Sequence, residues 1–423
     1  MIYHFFQWLQ NAGIEFPGVG LFQFITFRAL LAVLLSLVIT LVYGKQIILF
    51  LQKKQVGESV RELGLQGEEQ KKGTPTMGGF IILLGILIPT LLFANLDKVY
   101  IKLLLLSTVW LGVVGFIDDY LKLRAKRISQ ELGVPYKKGD KDGLAGWFKV
   151  LGQVGLGIII SATLLTNDNV KVMREYKGEG KPVGASEIKY QGGTRYFVKA
   201  NEPITTIPFI KDHEFNYSKL LPASLRSYGW VLYMLVIIFI VTAVSNGANI
   251  TDGLDGLATG VSAIIGVCLA LFAYASGNLL FADYLNIMYI PNLGEVSIFI
   301  AAMIGACIGF LWYNTFPAQV FMGDTGSLAL GGIIASLAII VRKELMIPLF
   351  CAVFLVENLS VMIQVGYFKY TKKKYGEGRR VFLMSPLHHH YQKKGYHESK
   401  IAVRFWIVTL LFVVFAILSL KIR

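Results

Sequence analysis

The sequence predicts an all-α polytopic membrane protein with about ten transmembrane helices. Three observations predict it: 54% of the 423 residues are hydrophobic, 16% are charged, and the mean hydropathy is +0.57. A soluble chain of this length carries more charge and divides into domains. Long apolar runs recur along the whole chain, so we expect one transmembrane domain over residues 1–423.

The predicted spans are apolar runs close to the roughly 18 residues that a membrane helix requires. The opening segment, MIYHFFQWLQ, lacks the positive n-region of a signal peptide, so we expect an interfacial segment that stays on the chain. The spans are expected at residues 24–48, 78–96, 99–117, 149–166, 229–245, 257–275, 296–313, 327–342, 346–368 and 403–420.

The segment at 167–228 is a long polar insertion between two predicted spans. Glycines and prolines separate short alternating runs such as TRYFVKA, a pattern that is typical of β-hairpins. We therefore expect a small β-hairpin element outside the membrane, on the periplasmic side, without a catalytic cluster of its own.

The loops rich in Lys and Arg predict the orientation of the chain. If each span reverses the chain, one side of the membrane receives the segments at 49–77, 118–148, 246–256, 314–326 and 369–402. That side holds LKLRAKR, YKKGDK and YTKKKYGEGRR. Short basic loops face the cytoplasm, whereas loops as long as 167–228 largely escape this rule. The five segments are therefore predicted to be cytoplasmic.

The membrane setting also explains the net charge of +14 and the three cysteines. Positive-inside loops and anionic lipid headgroups account for the charge. We expect no nucleic-acid partner, because no basic helix or stacking motif stands apart from the spans. Cys268, Cys307 and Cys351 lie in apolar runs without a CxxC pattern, so we expect buried thiols and neither a disulfide nor a zinc site.

Five polar motifs fall on the predicted cytoplasmic side, with no comparable cluster on the other side. They are KKGTPTMGG (71–79), GFIDDYLK (115–122), NGANITDGLDG (246–256), NTFPAQVFMGDTGS (314–327) and PLHHHYQKKG (386–395). Singly, each has an ordinary structural explanation: Asp255 and Asp324 precede apolar helices as N-caps do, and Asp118 and Asp119 end a span. Jointly, those explanations leave the clustering on one side unexplained.

The residue types in these motifs favour phosphoryl transfer that involves a lipid. Several carboxylates without cysteine ligands favour Mg²⁺ or Mn²⁺ over zinc, and the histidines, Lys71 and Lys72 can contact phosphate. The glycines of GTPTMGG and GDTGS let backbone N–H groups approach an anion. No Walker A pattern or Gly-rich kinase loop occurs, which disfavours ATP-driven work.

In their order along the chain, KKGTPTMGG, GFIDDYLK, NGANITDGLDGLA, FMGDTGS and PLHHHY resemble the phospho-N-acetylmuramoyl-pentapeptide-transferase family of the polyprenyl-phosphate sugar-1-phosphate transferases. The resemblance covers nearly the whole chain. It implies transfer of phospho-MurNAc-pentapeptide from UDP-MurNAc-pentapeptide to undecaprenyl phosphate, giving lipid I and UMP in peptidoglycan synthesis, with Mg²⁺ as cofactor. It also implies a homodimer in the bacterial inner membrane, with the active site on the cytoplasmic face.

The resemblance further implies roles for individual residues. Asp324 is expected to bind the metal, Asp118 to act as base on the lipid phosphate, and Asp119 to lie beside that phosphate. His388 is expected to act at the phosphates as a catalytic group. Substrate contacts are expected from Lys71, Thr76, Lys122, Asn246, Asn249, Asp252, Gly253, Leu254, Asp255, Asn314, Phe321, His389 and His390.

The sequence departs from the family pattern in two places. NGANITDG replaces the more usual NAVNLTDG, and the 167–228 segment exceeds the expected length.

Two alternative functions are compatible with the motifs. One alternative is transfer of another UDP-HexNAc 1-phosphate. The other is a lipid or solute transporter, which Glu357 within the ninth span would support. Transport predicts ionisable residues near the midplane of several spans, whereas here they cluster at one surface.

Overall fold

The structure is a computed structural model, and it describes residues 1–14, 18–54, 71, 73–131, 143–176, 182, 185–190, 193–199, 203–210 and 214–422. Predictions that rest on Lys72 and on the stretch YKKGDK fall outside the described residues.

Fifteen α-helices form most of the described chain, and a π-helical turn at Ile39–Tyr43 joins the second helix to the third. They are α1 (Ile2–Asn11), α2 (Ile25–Val38), α3 (Gly44–Lys54), α4 (Gly79–Phe93), α5 (Val99–Glu131), α6 (Gly146–Thr166), α7 (Gly229–Thr251), α8 (Leu257–Gly277), α9 (Leu279–Leu285), α10 (Val296–Asn314), α11 (Gly323–Ile340), α12 (Ile347–Phe350), α13 (Ala352–Tyr375), α14 (Leu387–Lys393) and α15 (Glu398–Ser419).

Every predicted span lies on helix, and the chain is a multi-pass membrane protein. Among the described residues, 8 helical segments are long and apolar enough to cross a membrane, or 9 if Glu344–Phe350 and Ala352–Tyr375 form one span. That pair is bent by 82°. The second predicted span is α4, which has only 15 residues and carries Pro89 inside it. The prediction of ten therefore counted one short helix and one bent pair as full crossings.

Three helices, α5, α7 and α13, continue well past the ends that hydropathy predicted. α5 runs on to Glu131 and α7 to Thr251, so Asp118, Asp119 and Asn249 lie on helices and not in loops. The apolar run stops where the membrane does, but the backbone hydrogen bonds of a helix continue into the polar region. The side chains of these motifs therefore have fixed helical spacing.

α11 lies at the centre of the bundle, packed against α5, α7, α4 and α8. Its residues from Thr325 to Ile340 are all buried. Gly331 and Gly332 permit this closeness, because a Cβ at Gly331 would lie 2.6 Å from the Cα of Ser245, and one at Gly332 would lie 2.2 Å from the side chain of Leu111. The packing fixes the depth at which GDTGS meets the motif residues of α5 and α7.

The 167–228 insertion contains two small antiparallel sheets. Their strands are β1 (Met173–Glu175), β2 (Ser186–Tyr190), β3 (Gly193–Lys199), β4 (Ile204–Thr206) and β5 (Glu214–Asn216). The order in the first sheet is β1-β3-β2, and β4 pairs with β5. The described part of TRYFVKA, residues 194–199, lies on β3 and forms a hairpin with β2, as predicted. Thr206 donates its N–H to the carbonyl of Arg342 at 3.0 Å, which ties the insertion to the loop after α11.

The bundle thus has two distinct ends. We call the end that holds the loops at 73–78, 252–256, 315–322 and 376–397 the site end, and the end that carries the insertion the insertion end. The three cysteines are buried within the bundle as free thiols. The N-terminal segment forms α1, with Phe5 and Trp8 exposed, as an interfacial helix requires.

Candidate active site

Three aspartates from two helices converge at the site end. Asp118 and Asp119 lie on α5, and Asp324 lies in the first turn of α11. Each offers one carboxylate oxygen, and these oxygens all lie within 4.8 Å of one another. Asp118 and Asp119 are buried, whereas 15% of the Asp324 side chain is exposed. The group therefore has one member that solvent or a ligand can reach.

Two lysines neutralise this cluster, and both are shared between Asp118 and Asp324. Lys122 Nζ lies 2.5 Å from Asp118 Oδ2 and 3.1 Å from Asp324 Oδ2. Lys149 Nζ lies 2.9 Å and 2.5 Å from the same two oxygens. Lys149 was missed by the sequence reasoning. Its one signal is that it is the single charged residue of the otherwise apolar α6.

Asp119 is committed to the N-terminus of α11. Its Oδ1 accepts the N–H of Asp324 at 3.1 Å, and its Oδ2 accepts the N–H and the Oγ1 hydroxyl of Thr325 at 2.9 and 2.7 Å. Asp119 therefore caps α11 from a neighbouring helix. The N-cap position belongs to Met322, so the explanation of Asp324 as an N-cap is wrong. A Cβ at Gly323, where φ is +72°, would lie 2.7 Å from Asp119 Oδ2.

The donor set fits a divalent metal ion. Oxygen ligands without cysteine suit a hard cation. Asn249 orients Asp324, because its Nδ2 donates to Asp324 Oδ1 at 3.0 Å and to Ser327 Oγ at 2.8 Å. Asp118 is oriented in turn by the N–H of Leu144, which donates to its Oδ1 at 2.8 Å. Both carboxylates are thus held in place from outside the cluster, as metal ligands commonly are.

Lys71 and Asp255 belong to a second charged group at the site end. Lys71 Nζ lies 2.8 Å from Asp255 Oδ1 and 2.5 Å from Glu398 Oε1. The other oxygen of Asp255 accepts the N–H of Ala318 at 2.9 Å. The N-cap of α8 is Gly256, without a side-chain bond, so the expected capping role of Asp255 is wrong. Glu398 was also missed, since nothing in the sequence marks it beyond its place before the last span.

The aromatic and amide positions of the predicted set surround this second group. Lys71 Nζ lies 6.0 Å from the ring centroid of Phe321. Asn314 is buried, accepts the N–H of Gly256 at 3.1 Å and donates to the carbonyl of Val320 at 2.9 Å. It therefore joins two of the motif loops. Leu254 is part of the hydrophobic core, so its side chain anchors the NGANITDGLDG stretch to that core.

Two further predicted residues have different positions: Thr76 lies close to the aspartates, and Asn246 contacts α6. A Cβ on Gly323 would lie 2.9 Å from Thr76 Oγ1, which puts Thr76 beside the start of α11. Asn246 donates to Gln153 Oε1 at 3.2 Å and to the carbonyl of Thr242 at 2.9 Å. Asn246 thus joins α7 to α6, and does not contact the aspartates directly.

The three histidines have different surroundings. His388 is wholly buried, with Nδ1 3.1 Å from Glu357 Oε2. His389 Nδ1 lies 2.7 Å from Gln392 Oε1, and His390 Nδ1 accepts the N–H of Leu383 at 3.1 Å. Partial burial, and then the charge of Lys394, lower the pKa of His390 below its ordinary value. His390 is therefore neutral at physiological pH.

The histidine segment meets the loop that carries Asp252. A Cβ on Gly253 would lie 2.3 Å from His388 Nε2, so the imidazole of His388 lies directly under this loop. Asp252 is partly buried beside it. Glu357, the residue that favoured a transporter, is used inside the protein as the partner of His388.

Comparison with known proteins gives consistent matches. The model of the glycosyl transferase family 4 matches residues 101–342. The chain is 55% identical to the phospho-N-acetylmuramoyl-pentapeptide-transferase of Flavobacterium psychrophilum, 53% to that of Flavobacterium johnsoniae and 52% to that of Amoebophilus asiaticus. Each of these alignments covers 100% of both chains. The 167–228 segment lies within them.

Proposed function

Because the chain belongs to the phospho-N-acetylmuramoyl-pentapeptide-transferase family, we propose that its five motifs form one active site for the family's phosphotransfer. The enzyme transfers phospho-MurNAc-pentapeptide from UDP-MurNAc-pentapeptide to undecaprenyl phosphate, which gives lipid I and UMP for peptidoglycan synthesis. The observation that carries the location of the site is the convergence of Asp118, Asp119 and Asp324 at one end of the bundle. One substrate is soluble and the other is a lipid, so a site at a membrane surface serves both.

Asp324 is the proposed principal metal ligand, with Asp118 and Asp119 completing the carboxylate group. We propose Mg²⁺, because this ion is typically held by one or two carboxylates together with substrate phosphates. The bound metal would offset charge on the pyrophosphate. Asn249 keeps Asp324 oriented, and Asp119 keeps the start of α11 in place.

The reaction is an attack by an oxygen of the lipid phosphate on the β-phosphorus of the UDP-sugar. The bond from that phosphorus to the bridging oxygen breaks, and UMP leaves. A phosphate monoester is already largely ionised at neutral pH, since its second pKa is about 6. Asp118 therefore needs to be only a weak base, and we favour direct attack over a phospho-aspartate intermediate.

Lys122 and Lys149 are the residues that we expect to stabilise negative charge on the phosphates during this transfer. Both ammonium groups already lie between Asp118 and Asp324, and both side chains retain some exposure, 38% and 19% respectively. They can turn toward the oxygens on which charge develops, where a fixed positive charge stabilises the transition state.

The uridine end of the substrate is assigned to the group around Lys71, Asp255 and Phe321. This group offers an aromatic face, a cation and a carboxylate within one small region. The NGANITDG loop, with Asp252 and Gly253, would lie along the nucleotide. His389 and His390 are assigned to the phosphates, and the basic residues of the segment 370–404 to the acidic peptide arm.

The orientation in the membrane and the homodimer are further parts of the proposal. The site end is assigned to the cytoplasm of the bacterial inner membrane, since the segments at 49–77, 118–148, 246–256, 314–326 and 369–402 together hold 21 of the 41 Lys and Arg residues. Cysteines placed at the exposed positions 127 and 376 should resist an impermeant thiol reagent in intact spheroplasts, whereas one at 185 should react. Labelling of all three from outside would reverse the topology.

The function itself is tested with purified protein, undecaprenyl phosphate and Mg²⁺. UDP-MurNAc-pentapeptide should support UMP release, and UDP-GlcNAc should not, because the lactyl-peptide arm is missing. Strong turnover of UDP-GlcNAc would move the chain to the sibling sugar-1-phosphate transferases. No UMP release from any UDP-sugar by folded protein would contradict the proposed function as a whole.

A further inference from the structure

One face of α13 carries a buried polar stripe. Glu357, Gln364 and Thr371 are spaced by seven residues, and their exposed fractions are 0%, 8% and 1%. Seven residues are close to two helical turns, so the three side chains lie in a row along one face. Polar residues buried in a helix at this depth require partners.

All three side chains form hydrogen bonds with the segment that returns toward α14 and with the start of α14. Thr371 Oγ1 accepts the N–H of Arg379 at 2.8 Å. Gln364 Oε1 accepts the N–H groups of Val381 and Phe382 at 3.0 and 2.9 Å. The stripe therefore fastens the returning segment to α13 over most of its length.

Glu357 completes this stripe at the end nearest the NGANITDG loop. Its Oε1 accepts the backbone N–H of His388 at 3.2 Å, and its Oε2 lies 3.1 Å from His388 Nδ1. A carboxylate oxygen is an acceptor of hydrogen bonds, so the contact between Oε2 and Nδ1 is satisfied when Nδ1 of His388 carries the proton. Nε2 of a neutral imidazole is then an acceptor.

The remaining nitrogen of His388 is left without a partner. Nε2 is buried and makes no hydrogen bond within the described residues. It lies under Gly253, where a Cβ would approach it to 2.3 Å. A buried polar atom without a partner is costly, and such atoms occur at functional sites.

We propose that Glu357 is a positioning residue for the transfer reaction: it fixes His388 in the Nδ1–H tautomer and keeps Nε2 as a hydrogen-bond acceptor beneath the nucleotide loop. The proposal rests on the function proposed above, which assigns that loop to the UDP-sugar. Glu357 acts only through His388, and the other two members of the stripe hold the segment without touching an imidazole.

The tautomer is measured directly by ¹⁵N NMR of protein labelled at its 6 histidines. The His388 signals are assigned by their loss in His388→Asn. We expect a protonated Nδ1 and an unprotonated Nε2 in the unmodified protein. An Nε2–H tautomer, or an imidazolium with both nitrogens protonated, would overturn the proposal without any activity measurement.

Glu357→Gln tests the consequence with almost no change in shape. A glutamine has one acceptor oxygen, which the backbone N–H of His388 requires, so its NH₂ group faces Nδ1. His388 should then switch to the Nε2–H tautomer. We expect kcat/KM for UDP-MurNAc-pentapeptide to fall by about 10- to 100-fold, the range seen when a partner that orients a functional side chain is removed. KM for undecaprenyl phosphate should stay unchanged.

Gln364→Glu is the matched control, because it is the reverse isosteric change on the same stripe. It keeps an acceptor for the N–H groups of Val381 and Phe382 but loses the bond that Gln364 Nε2 donates to the carbonyl of Phe382 at 3.2 Å, so it weakens the anchoring of the segment without touching His388. It should leave the His388 tautomer unchanged and alter kcat/KM by no more than a few-fold. Equal losses in the two variants, with His388 unchanged in Glu357→Gln, would reduce Glu357 to an anchor and reject the proposal. Absence of UMP release from the unmodified protein would instead reject the proposed function, while the NMR result would still stand.

Discussion

The two ends of the helix bundle both bury charges, but they satisfy them differently. At the insertion end, Arg28 forms a two-point pair with Glu295, with N–O distances of 2.8 and 2.6 Å. Arg28 also donates to the carbonyl of Phe93, and Glu295 also accepts the N–H of Asn95. Each of these charges has fixed partners of its own.

The ionisable residues of the loop after α11, also at the insertion end, likewise have separate partners of their own. Lys343 Nζ donates to Thr206 Oγ1 at 2.6 Å, and Glu344 Oε1 accepts the hydroxyl of Tyr217 at 3.2 Å. Arg342 donates to the hydroxyl of Tyr233. These bonds join the insertion to the bundle, so the buried charges here organise structure.

At the site end, two carboxylates share two lysines, since the same oxygens of Asp118 and Asp324 receive both ammonium groups. Part of this cluster also reaches solvent, since 38% of the Lys122 side chain is exposed. Buried charges with fixed, separate partners need no ligand, whereas a crowded acidic cluster with partly exposed cations is suited to bind one. The following variants test that difference.

Asp324→Asn should give the largest effect. It removes the metal-ligand charge at the membrane edge, and we expect UMP release to fall by about 10³-fold or more while the protein stays folded. The matched control is Asp168→Asn at the insertion end, where the carboxylate is exposed and pairs with Lys171. Turnover near the unmodified level in Asp324→Asn would mean that the metal lies elsewhere.

Lys149→Met should come next, with a loss of about 100-fold in kcat, because one of the two cations that face the phosphates is removed. Lys102→Met on the exposed face of α5 makes the same chemical change far from the aspartates and should be neutral. If Lys149→Met retained full activity, its ion pairs would be structural like those at the insertion end.

Glu295→Gln should affect stability and not chemistry. Breaking one side of a buried pair typically costs about 3–5 kcal/mol, so Tm in detergent should fall clearly. Turnover per folded molecule should remain unchanged. The double variant Arg28→Met with Glu295→Leu should recover most of the lost Tm, since an apolar pair of similar size is often tolerated. A loss of turnover without a loss of Tm would contradict the structural role.

Lys343 should give the smallest effect, visible only as a pH dependence of stability. Burial lowers its pKa to about 7, well below the value of an unfolded chain. Above pH 7 the unfolded state binds more protons than the folded state, so this lysine makes stability rise with pH up to about 10. Lys343→Met should therefore raise Tm more at pH 6.5 than at pH 9.5. An equal change at both pH values would show that Lys343 is not neutralised by burial.

The sequence alone determined the membrane architecture and the residue types of the site. Hydropathy is a local property of about 18 consecutive residues, so the spans could be located from the sequence without knowledge of their packing. Asp118, Asp119 and Asp324 could be selected because acids at the ends of spans are costly unless they are used. The sequence also predicted the strand β3, which contains TRYFVK, because alternation and Gly punctuation are local signals.

Only the tertiary structure decided which of these residues meet. Lys149 reaches the aspartates because α6 packs beside α5, and Glu398 reaches Lys71 because α15 begins at the site end. The partner of Glu357 lies 31 residues away on a returning segment, and the partner of Asp119 is the start of a helix 205 residues away. Asp255 reads as an N-cap in the sequence but accepts the N–H of Ala318. Such pairings depend on helix packing over long sequence separations, which no local pattern of residues encodes.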